Sequence, residues 1–208
     1  MERDTVRIRL LGIQEYAESR EKMKQFTEER NPGTPDEIWL LEHHPVYTLG
    51  LNGKKEHLIN PGDIPIIHSD RGGQATYHGP GQLILYPLLD IRRRKIGVRR
   101  LVTLLERSAI ETLKQYGIQS HAKSEAPGVY VDSKKIASIG IRIRRGCSYH
   151  GMSLNVNVDL RPFEGINICG FPSLRATRLA DLGGPHHCHE VAIPLVHQFL
   201  NLLDEPGP

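Results

Sequence analysis

Residues 71–82 read RGGQATYHGPGQ and form the densest cluster of glycine and polar residues in the chain. We call this segment the glycine-rich loop. Four glycines and a proline surround Arg71, Thr76 and His78, between two predicted β-strands. Glycine allows positive φ and close approach of a ligand to the backbone, and the three polar side chains can donate hydrogen bonds. The segment therefore predicts either a ligand-binding loop or an unusually glycine-rich hairpin turn.

Apolar spacing near 3.6 residues predicts three helices outside this loop. The first covers 13–30, and the second covers 97–116 with Gly117 as its C-terminal cap. The third covers 191–203, with Pro194 in its first turn, where the missing N–H removes no helical hydrogen bond.

Short runs rich in β-branched and aromatic residues predict the strands. A hairpin is expected about Asp132-Ser133-Lys134, and the four runs before the second helix are assigned to one sheet. The strand ranges are 38–41, 46–49, 64–67, 83–89, 129–131, 135–143 and 152–158. Hairpins mixed with intervening helices predict an α+β fold, in which a mixed, largely antiparallel sheet is flanked by helices.

Length, charge and cysteine content narrow the class of protein. A chain of 208 residues fits one domain, 1–208. Its 27 basic and 24 acidic residues give a net charge of +3, which is too balanced to indicate nucleic acid and suits acidic protein partners. The start is charged, no apolar run approaches the roughly 18 residues of a membrane span, and the three cysteines form no C-x-x-C pair. These features predict a cytoplasmic protein with no membrane partner.

Two clusters of charged or metal-binding residues each allow two interpretations. Arg92-Arg93-Arg94-Lys95 is favoured as a solvated turn before the second helix, with a docking patch for an acidic carrier as the alternative. His186-His187-Cys188-His189 has metal-binding side chains, but adjacent residues rarely all point at one ion. An exposed loop is therefore favoured there, and no metal site is expected.

Two single residues outside the glycine-rich loop can carry chemistry. Lys135 begins the run KIASIG (135–140), where a lysine usually faces solvent. Cys169 lies beside a glycine in NICG (167–170), and a lone cysteine is more often buried and inert than nucleophilic. Taken alone, neither residue predicts catalysis.

Taken together, these segments resemble the lipoyl(octanoyl) transferase family. That family carries the patterns R-G-G-x-x-T-x-H-G-P-G-Q, K-I-A-S-I-G and S-x-H-G-x-S-L-N in this order, followed by a Cys-Gly. Here the patterns are residues 71–82, 135–140, 148–155 and 169–170, and the resemblance extends over about 37–170. Beyond this range the resemblance fades and assigns no role.

The resemblance implies the fold shared by biotin and lipoate protein ligases, and an octanoyltransferase activity. In such an enzyme an octanoyl group passes from octanoyl-acyl carrier protein, through a thioester on Cys169, to a lysine of a lipoyl domain. This is the first step of endogenous protein lipoylation. The implied acceptors are the lipoyl domains of 2-oxoacid dehydrogenase acyltransferase subunits and the glycine cleavage H protein. No cofactor is implied, because the thioester donor is already activated.

The resemblance also implies the site residues. Lys135 is implied to lower the pKa of the Cys169 thiol, which is about 8.5 when unperturbed. The implied substrate pocket is formed by Arg71, Gly72, Gly73, Gln74, Ala75, Thr76, Tyr77, His78, Ser138, Ile139, Gly140, Gly151, Met152 and Ser153. The acceptor lysine needs a base, since its reference pKa is about 10.4, and Lys135 is preferred over His78 or His150.

Apolar residues within the motifs also have two interpretations. Tyr77, Ile139 and Met152 either wall a groove for the acyl chain or pack in the core. Other functions fit parts of the pattern: an ATP-dependent lipoate or biotin ligase needs no cysteine, and a thioester hydrolase would pass the acyl group to water. A non-catalytic acyl-binding module is least favoured, because it leaves Lys135 and Cys169 without a purpose.

Overall fold

The computed structural model describes residues 5–205, except for the side chain of Cys169. The strands are β1 (Val6–Gln14), β2 (Asp36–His43), β3 (Val46–Leu49), β4 (Ile66–His68), β5 (Ala75–His78), β6 (Gln82–Leu88), β7 (His121–Ala122), β8 (Gly128–Val131), β9 (Lys134–Arg144) and β10 (Cys147–Asn155). The helices are α1 (Tyr16–Glu29), α2 (Val98–Gln115), α3 (Arg161–Glu164) and α4 (Cys188–Asp204). Short 3-10 turns cover Lys55–His57, Ile168–Gly170 and Leu179–Leu182.

The main sheet has seven strands in the order β1-β2-β6-β10-β9-β8-β7. Only β1 and β2 pair in parallel among these described strands, and the other pairs are antiparallel. Both faces of the central strands are buried, so β6 reads as a continuous apolar run rather than an alternating one. Leu83 and Leu85 of β6 join the core under α2 and α4, whereas Ile84 and Tyr86 join a second cluster with Met23 of α1. The expected α+β fold with a mixed, largely antiparallel sheet is confirmed.

The expectation that all early strands belong to one sheet was wrong. Strands β4, β3 and β5 form a separate sheet, in which β3 pairs with β5 in antiparallel fashion and with β4 in parallel. Pro45 lies between β2 and β3, and because proline has no N–H it cannot continue a hydrogen-bonded ladder. The chain therefore leaves the main sheet at this point. The small sheet packs against an apolar cluster that includes Phe163, Ile166 and Ile168.

Two helix predictions need correction at their starts. The range 13–30 begins too early, because Ile13 lies on β1, an edge strand that the sequence interpretation missed, and α1 starts at Tyr16. The last helix starts at Cys188, so Pro194 lies inside α4 rather than in its first turn. The proline removes the N–H that would bond to the carbonyl of Glu190, and Tyr116 Oη donates to that carbonyl instead, at 3.2 Å.

Two turn predictions are confirmed. Gly117 follows α2 with φ of +74°, as a left-handed C-terminal cap requires. Asp132 has φ of +52° in the hairpin between β8 and β9. No helix within residues 5–205 is long and apolar enough to cross a membrane.

The basic run 92–95 lies in a turn as expected and exposes Arg92 and Lys95, but its two central arginines are partly buried. Arg93 and Arg94 converge with Arg30 on the carboxylate of Asp36, which is fully buried, and Arg93 Nη2 lies 2.8 Å from Asp36 Oδ1. Burial alone would raise the pKa of Asp36, but the backbone N–H of Asp90 and the arginines lower it below its usual value. Two of the four basic side chains therefore hold the turn to β2, which also argues against a docking patch.

Candidate active site

A partly open cavity lies where the two sheets meet, and the space among its lining residues, including the part open to solvent, is about 510 Å³. Its lining comes from the glycine-rich loop, whose residues 75–78 form β5, and from the central strands of the main sheet. The implied pocket residues that line it are Arg71, Gly73, Gln74, Ala75, Thr76, His78, Ser138, Ile139, Gly140, Gly151, Met152 and Ser153, and Lys135 lines it as well. These residues are distant in sequence, and the fold brings them to one place.

Two implied pocket residues do not line the cavity. Gly72 donates its N–H to the carbonyl of Ile141 at 3.1 Å, which fastens the loop to β9. The ring of Tyr77 packs against Tyr47 and Phe163, with ring centroids 5.5 Å and 5.4 Å away. Tyr77 is therefore a core residue, as the alternative interpretation had it.

The floor of the cavity is built from small residues on two paired strands. Ser138 faces Ser153, and Gly140 faces Gly151. A Cβ on Gly140 would lie 2.7 Å from the carbonyl oxygen of Gly72, and one on Gly151 would lie 2.1 Å from that of Leu85. These two glycines are required because neighbouring backbone lies directly against them. Ile139 and Met152 border the cavity and also pack against the core beneath α2 and α4.

Arg71 holds the glycine-rich loop in shape. Its guanidinium is buried and donates to Thr48 Oγ1 at 2.7 and 3.0 Å and to the carbonyl of Gln74 at 2.7 Å. A further bond reaches the carbonyl of Gly72 at 2.9 Å. Because one planar group binds both ends of the bend and the neighbouring strand, the loop conformation depends on Arg71.

A cluster of buried rings closes one end of the cavity. Tyr16 stacks on His78 and on His150, with centroids 5.7 Å and 6.3 Å apart, and Tyr86 packs edge-on against His150. His43 lies behind them and bonds to Tyr86 Oη at 2.7 Å. Only His78 and His150 of this cluster were considered from the sequence. The other three had no local signal, because they come from α1, β2 and β6.

His43 and His78 are both buried among these rings, which favours their neutral forms. Gln82 Nε2 donates to Asn155 Oδ1 and to a backbone carbonyl, so Gln82 Oε1 must accept from His78 Nδ1 at 2.7 Å. The second nitrogen of His78 faces Thr48 Oγ1 at 3.4 Å. Burial lowers the pKa of His78 well below its usual value and that of His43 to about 4.

His150 is oriented by a carboxylate. Its Nε2 lies 2.9 Å from Asp70 Oδ1, and Tyr149 Oη also bonds to Asp70. The hydrogen bond from His150 holds the pKa of Asp70 far below its usual value, whereas burial lowers the pKa of His150. The other nitrogen of the ring, Nδ1, is buried and has no hydrogen-bond partner within residues 5–205. Two further lining atoms share this state, Gln74 Oε1 and Thr76 Oγ1.

Lys135 is buried at the other end of the cavity, with 3% of its surface exposed. Its Nζ donates to the carbonyl of Pro127 at 3.0 Å and lies 5.4 Å from the centroid of the Tyr130 ring. Gly128 leaves room for it, since a Cβ there would lie 2.6 Å from Lys135 Cε. Glu106 of α2 accepts the N–H of Gly128 at 3.0 Å. The solvent-facing position that a lone lysine at a strand start usually takes is thus not observed.

The chain segment that follows Cys169 is tied to Lys135. The N–H of Lys135 donates to the carbonyl of Arg175 at 2.8 Å, and Thr177 donates back to the carbonyl of Lys135 at 2.9 Å. Cys169 itself belongs to the 3-10 turn Ile168–Gly170, and its side chain lies outside the described residues. The backbone of this turn lies against the glycine-rich loop, because a Cβ on Gly170 would be 2.6 Å from Gln74 Oε1.

The other two cysteines do not have the surroundings of a nucleophile. Cys147 and Cys188 are both buried, and burial raises the pKa of each thiol. The exposed loop expected at 186–189 is wrong for its second half, because Cys188 and His189 form the start of α4. The N–H of His187 is capped by Glu190 Oε2 at 2.9 Å. This part of the cluster serves the start of a helix.

Comparison with known proteins gives three consistent matches. The sequence-family model of the lipoyl protein ligase A/B catalytic domain matches residues 15–200. An octanoyltransferase of Shewanella amazonensis is 54% identical over 203 residues, which cover 98% of this chain and 94% of that protein. An octanoyltransferase of Alkalilimnicola ehrlichii is 52% identical over 202 residues, covering 97% and 94%.

Solved structures with the same fold are more distant in sequence. Lipoate-protein ligase A bound with ATP superposes with a TM-score of 0.78 at 16% identity, covering 95% of this chain and 85% of that one. Biotin protein ligase from Aquifex aeolicus superposes with a TM-score of 0.59 at 18% identity, covering 95% and 68%. At such identities the likeness concerns the fold alone.

Proposed function

Because the chain belongs to the lipoyl protein ligase A/B catalytic domain family and is an octanoyltransferase, we propose that Cys169 and Lys135 carry its reaction. The reaction moves an octanoyl group from acyl carrier protein to lipoyl domains. One observation supports the assignment above all others. Lys135 pairs with residues 175–177, a few positions after Cys169, and lines the cavity that the glycine-rich loop borders.

In the first half of the proposed reaction, the Cys169 thiolate attacks the carbonyl carbon of the donor thioester. A nearby ammonium group favours the thiolate over the thiol, and Lys135 supplies it. The carbon–sulfur bond to the carrier breaks, and the departing thiolate takes a proton from Lys135. The octanoyl group is then held as a thioester on Cys169.

In the second half, the amine of the lipoyl-domain lysine attacks this thioester. Lys135, now neutral, accepts the proton that the amine must lose, and the Cys169 thiolate leaves as the amide forms. Lys135 thus returns to its starting protonation state. The proton is neither gained nor lost over the full cycle.

The alternative bases are less well situated for this step. His78 has one nitrogen bonded to Gln82 and the other facing Thr48. His150 faces Ile141 on β9, six residues along the strand from Lys135, and at roughly 3.3 Å per residue this corresponds to about 20 Å. His150 therefore lies at the acyl-tail end of the cavity if the reacting carbonyl lies by Lys135.

We further propose octanoyl-acyl carrier protein as the donor, and lipoyl domains of 2-oxoacid dehydrogenase acyltransferase subunits and of the glycine cleavage H protein as the acceptors. The cysteine content, three residues without a C-x-x-C pair, supports a reducing compartment and hence the cytoplasm. The fold alone does not distinguish a transferase from an ATP-dependent ligase, because lipoate-protein ligase A shares it. A requirement for Cys169 would distinguish them.

The test is intact-mass measurement after the protein is mixed with octanoyl-acyl carrier protein. We expect a mass gain of one octanoyl group that is absent in Cys169→Ala and retained in the matched control Cys147→Ala. Addition of a lipoyl domain should then move the mass to that domain. Full activity of Cys169→Ala with free octanoate and ATP would instead identify a ligase, and release of free octanoate without a lipoyl domain would identify a hydrolase.

A further inference from the structure

We call the cavity described above the acyl cavity, because we assign the octanoyl chain to it. A second hollow opens beside Tyr130. Its volume is about 910 Å³ when the part open to solvent is included, and we call it the side groove. Its lining includes Phe171, Leu174 and Arg175 from the segment after Cys169, together with Tyr130 and Lys134 from the β8–β9 hairpin. Phe171 is a large apolar side chain with 47% of its surface exposed. An exposed aromatic residue beside an open groove is a common feature of binding surfaces.

The side groove adjoins both residues to which we assign the chemistry. Phe171 follows Cys169 by two positions, and Lys134 directly precedes Lys135. The ring of Tyr130 lines the side groove and lies 5.4 Å from Lys135 Nζ, which lines the acyl cavity. The contact between Tyr130 and Lys135 therefore brings the two hollows close together near the start of β9.

A thioester extends in two directions from its reacting carbonyl carbon. When the octanoyl chain lies in the acyl cavity, the thiol arm must leave the carbon on the other side of Cys169 and Lys135. The side groove lies close to both residues, because Phe171 and Lys134 line it. It therefore offers a path along which the leaving thiol can be bound and released.

The charge and composition of the side groove match one particular thiol. Lys123, Lys134 and Arg175 line it together with a single acidic residue, Glu125, among the described lining residues. Apolar surface comes from Phe171 and Leu174, and hydroxyls come from two serines. A phosphopantetheine arm has an apolar and amide-bearing chain that ends in a negatively charged phosphodiester, and Lys and Arg are the usual partners of phosphate.

We propose that the side groove binds the phosphopantetheine arm of the acyl donor, with its phosphate between Lys134, Arg175 and Lys123. This proposal rests on the proposed function, because it takes Cys169 as the site of acylation. It assigns a role to surface residues that the catalytic steps do not use. The lipoyl-domain lysine would enter by the same opening after the arm has left.

The experiment compares two small donors that lack the carrier protein, octanoyl-phosphopantetheine and octanoyl-pantetheine. Single-turnover acylation of Cys169 is followed by intact mass. We expect the unsubstituted protein to acylate roughly tenfold faster with the phosphorylated donor at subsaturating concentration, which is the value of one hydrogen bond between charged groups. Lys134→Ala combined with Arg175→Ala should reduce this ratio toward one, whereas the matched control Lys114→Ala, an exposed lysine near the end of α2, should keep it.

The possible outcomes separate the two proposals. If Cys169 is acylated but the unsubstituted protein does not distinguish the donors, the side groove does not bind the phosphate, while the proposed function stands. The same conclusion follows if the double variant keeps the full ratio. If octanoyl-acyl carrier protein itself fails to acylate Cys169, both proposals are wrong. Loss of transfer to the lipoyl domain with an intact donor ratio would assign the side groove to the acceptor and overturn the proposal.

Discussion

Replacement of Gly128 by alanine should displace Lys135 without touching it chemically. A Cβ at this position would lie 2.6 Å from Lys135 Cε and 3.1 Å from Nζ. It would also lie 2.4 Å from the carbonyl oxygen of Ala137, and Gly128 has φ of +145°, which an alanine rarely adopts. The new methyl group therefore pushes on a buried lysine and on the strand that carries it.

The size of the effect follows from these distances. Non-bonded carbon atoms normally approach to about 3.5–4.0 Å, so Lys135 Cε must move by roughly 1 Å. A shift of about 1 Å at a catalytic group can cost roughly 100-fold in rate. Backbone strain at Gly128 should also lower the free energy of unfolding by about 1–3 kcal/mol. Acylation should therefore slow far more than the small loss of folded protein can explain.

A double-mutant cycle measures whether the loss acts through Lys135. Single-turnover acylation by octanoyl-acyl carrier protein is compared for Gly128→Ala, Lys135→Ala and the double variant, and thermal unfolding reports the folded fraction. In the Lys135→Ala background, Gly128→Ala should cost less than roughly threefold, because the group it displaces is already absent. Gly97→Ala is the matched control, since Gly97 has φ of −87° and no atom within 4 Å of its Cβ. Equal losses in both backgrounds would refute the reasoning.

Two further predictions concern stability. Asp36→Asn removes the negative charge between Arg30, Arg93 and Arg94. Because three guanidinium groups lose a buried partner, the free energy of unfolding measured by urea titration should fall by about 3–5 kcal/mol. A loss under about 1 kcal/mol would mean that the cluster is well solvated. Burial lowers the pKa of His43 to about 4 in the folded protein, below its unfolded value of about 6.5. Its contribution to the free energy of unfolding is therefore present at neutral pH and is lost as the pH falls from about 6.5 to about 4. Protonation of His43 alone should lower the free energy of unfolding by about 2 kcal/mol between pH 7 and pH 5. The variant His43→Gln should therefore show a weaker pH dependence of the free energy of unfolding, and an unchanged dependence would contradict this assignment.

The parts of the fold that were predicted from sequence are those with local causes. The helix α2 has an apolar stripe and a glycine cap, and the β8–β9 hairpin has turn residues between two alternating runs. The small sheet was missed because β3, β4 and β5 look like any other short strands. Which strands pair depends on where the chain turns at Pro45, and a run of β-branched residues does not indicate which strand it pairs with.

The candidate site was predicted best where a motif is continuous. Of the fourteen implied pocket residues, all but Gly72 and Tyr77 line one cavity. Tyr16, His43 and Tyr86 were missed, since each lies on a different element and none belongs to a motif. Asp70 did carry a usable signal, because it directly precedes the glycine-rich loop and a carboxylate is the common partner of a buried histidine.

The burial of Lys135 depends on long-range contacts that the sequence alone does not indicate. In sequence, Lys135 is one of two adjacent lysines at a hairpin, and either could face solvent. A register shift in the pairing of β8 with β9 places Tyr130 opposite Lys135, and the backbone of Lys135 pairs with residues 175–177, about 40 positions later. These long-range bonds remove Lys135 from water and leave Lys134 exposed at the side groove. Two neighbouring lysines thus acquire different environments, which fits the separate roles that we propose for Lys135 in the reaction and for Lys134 in binding an anionic donor.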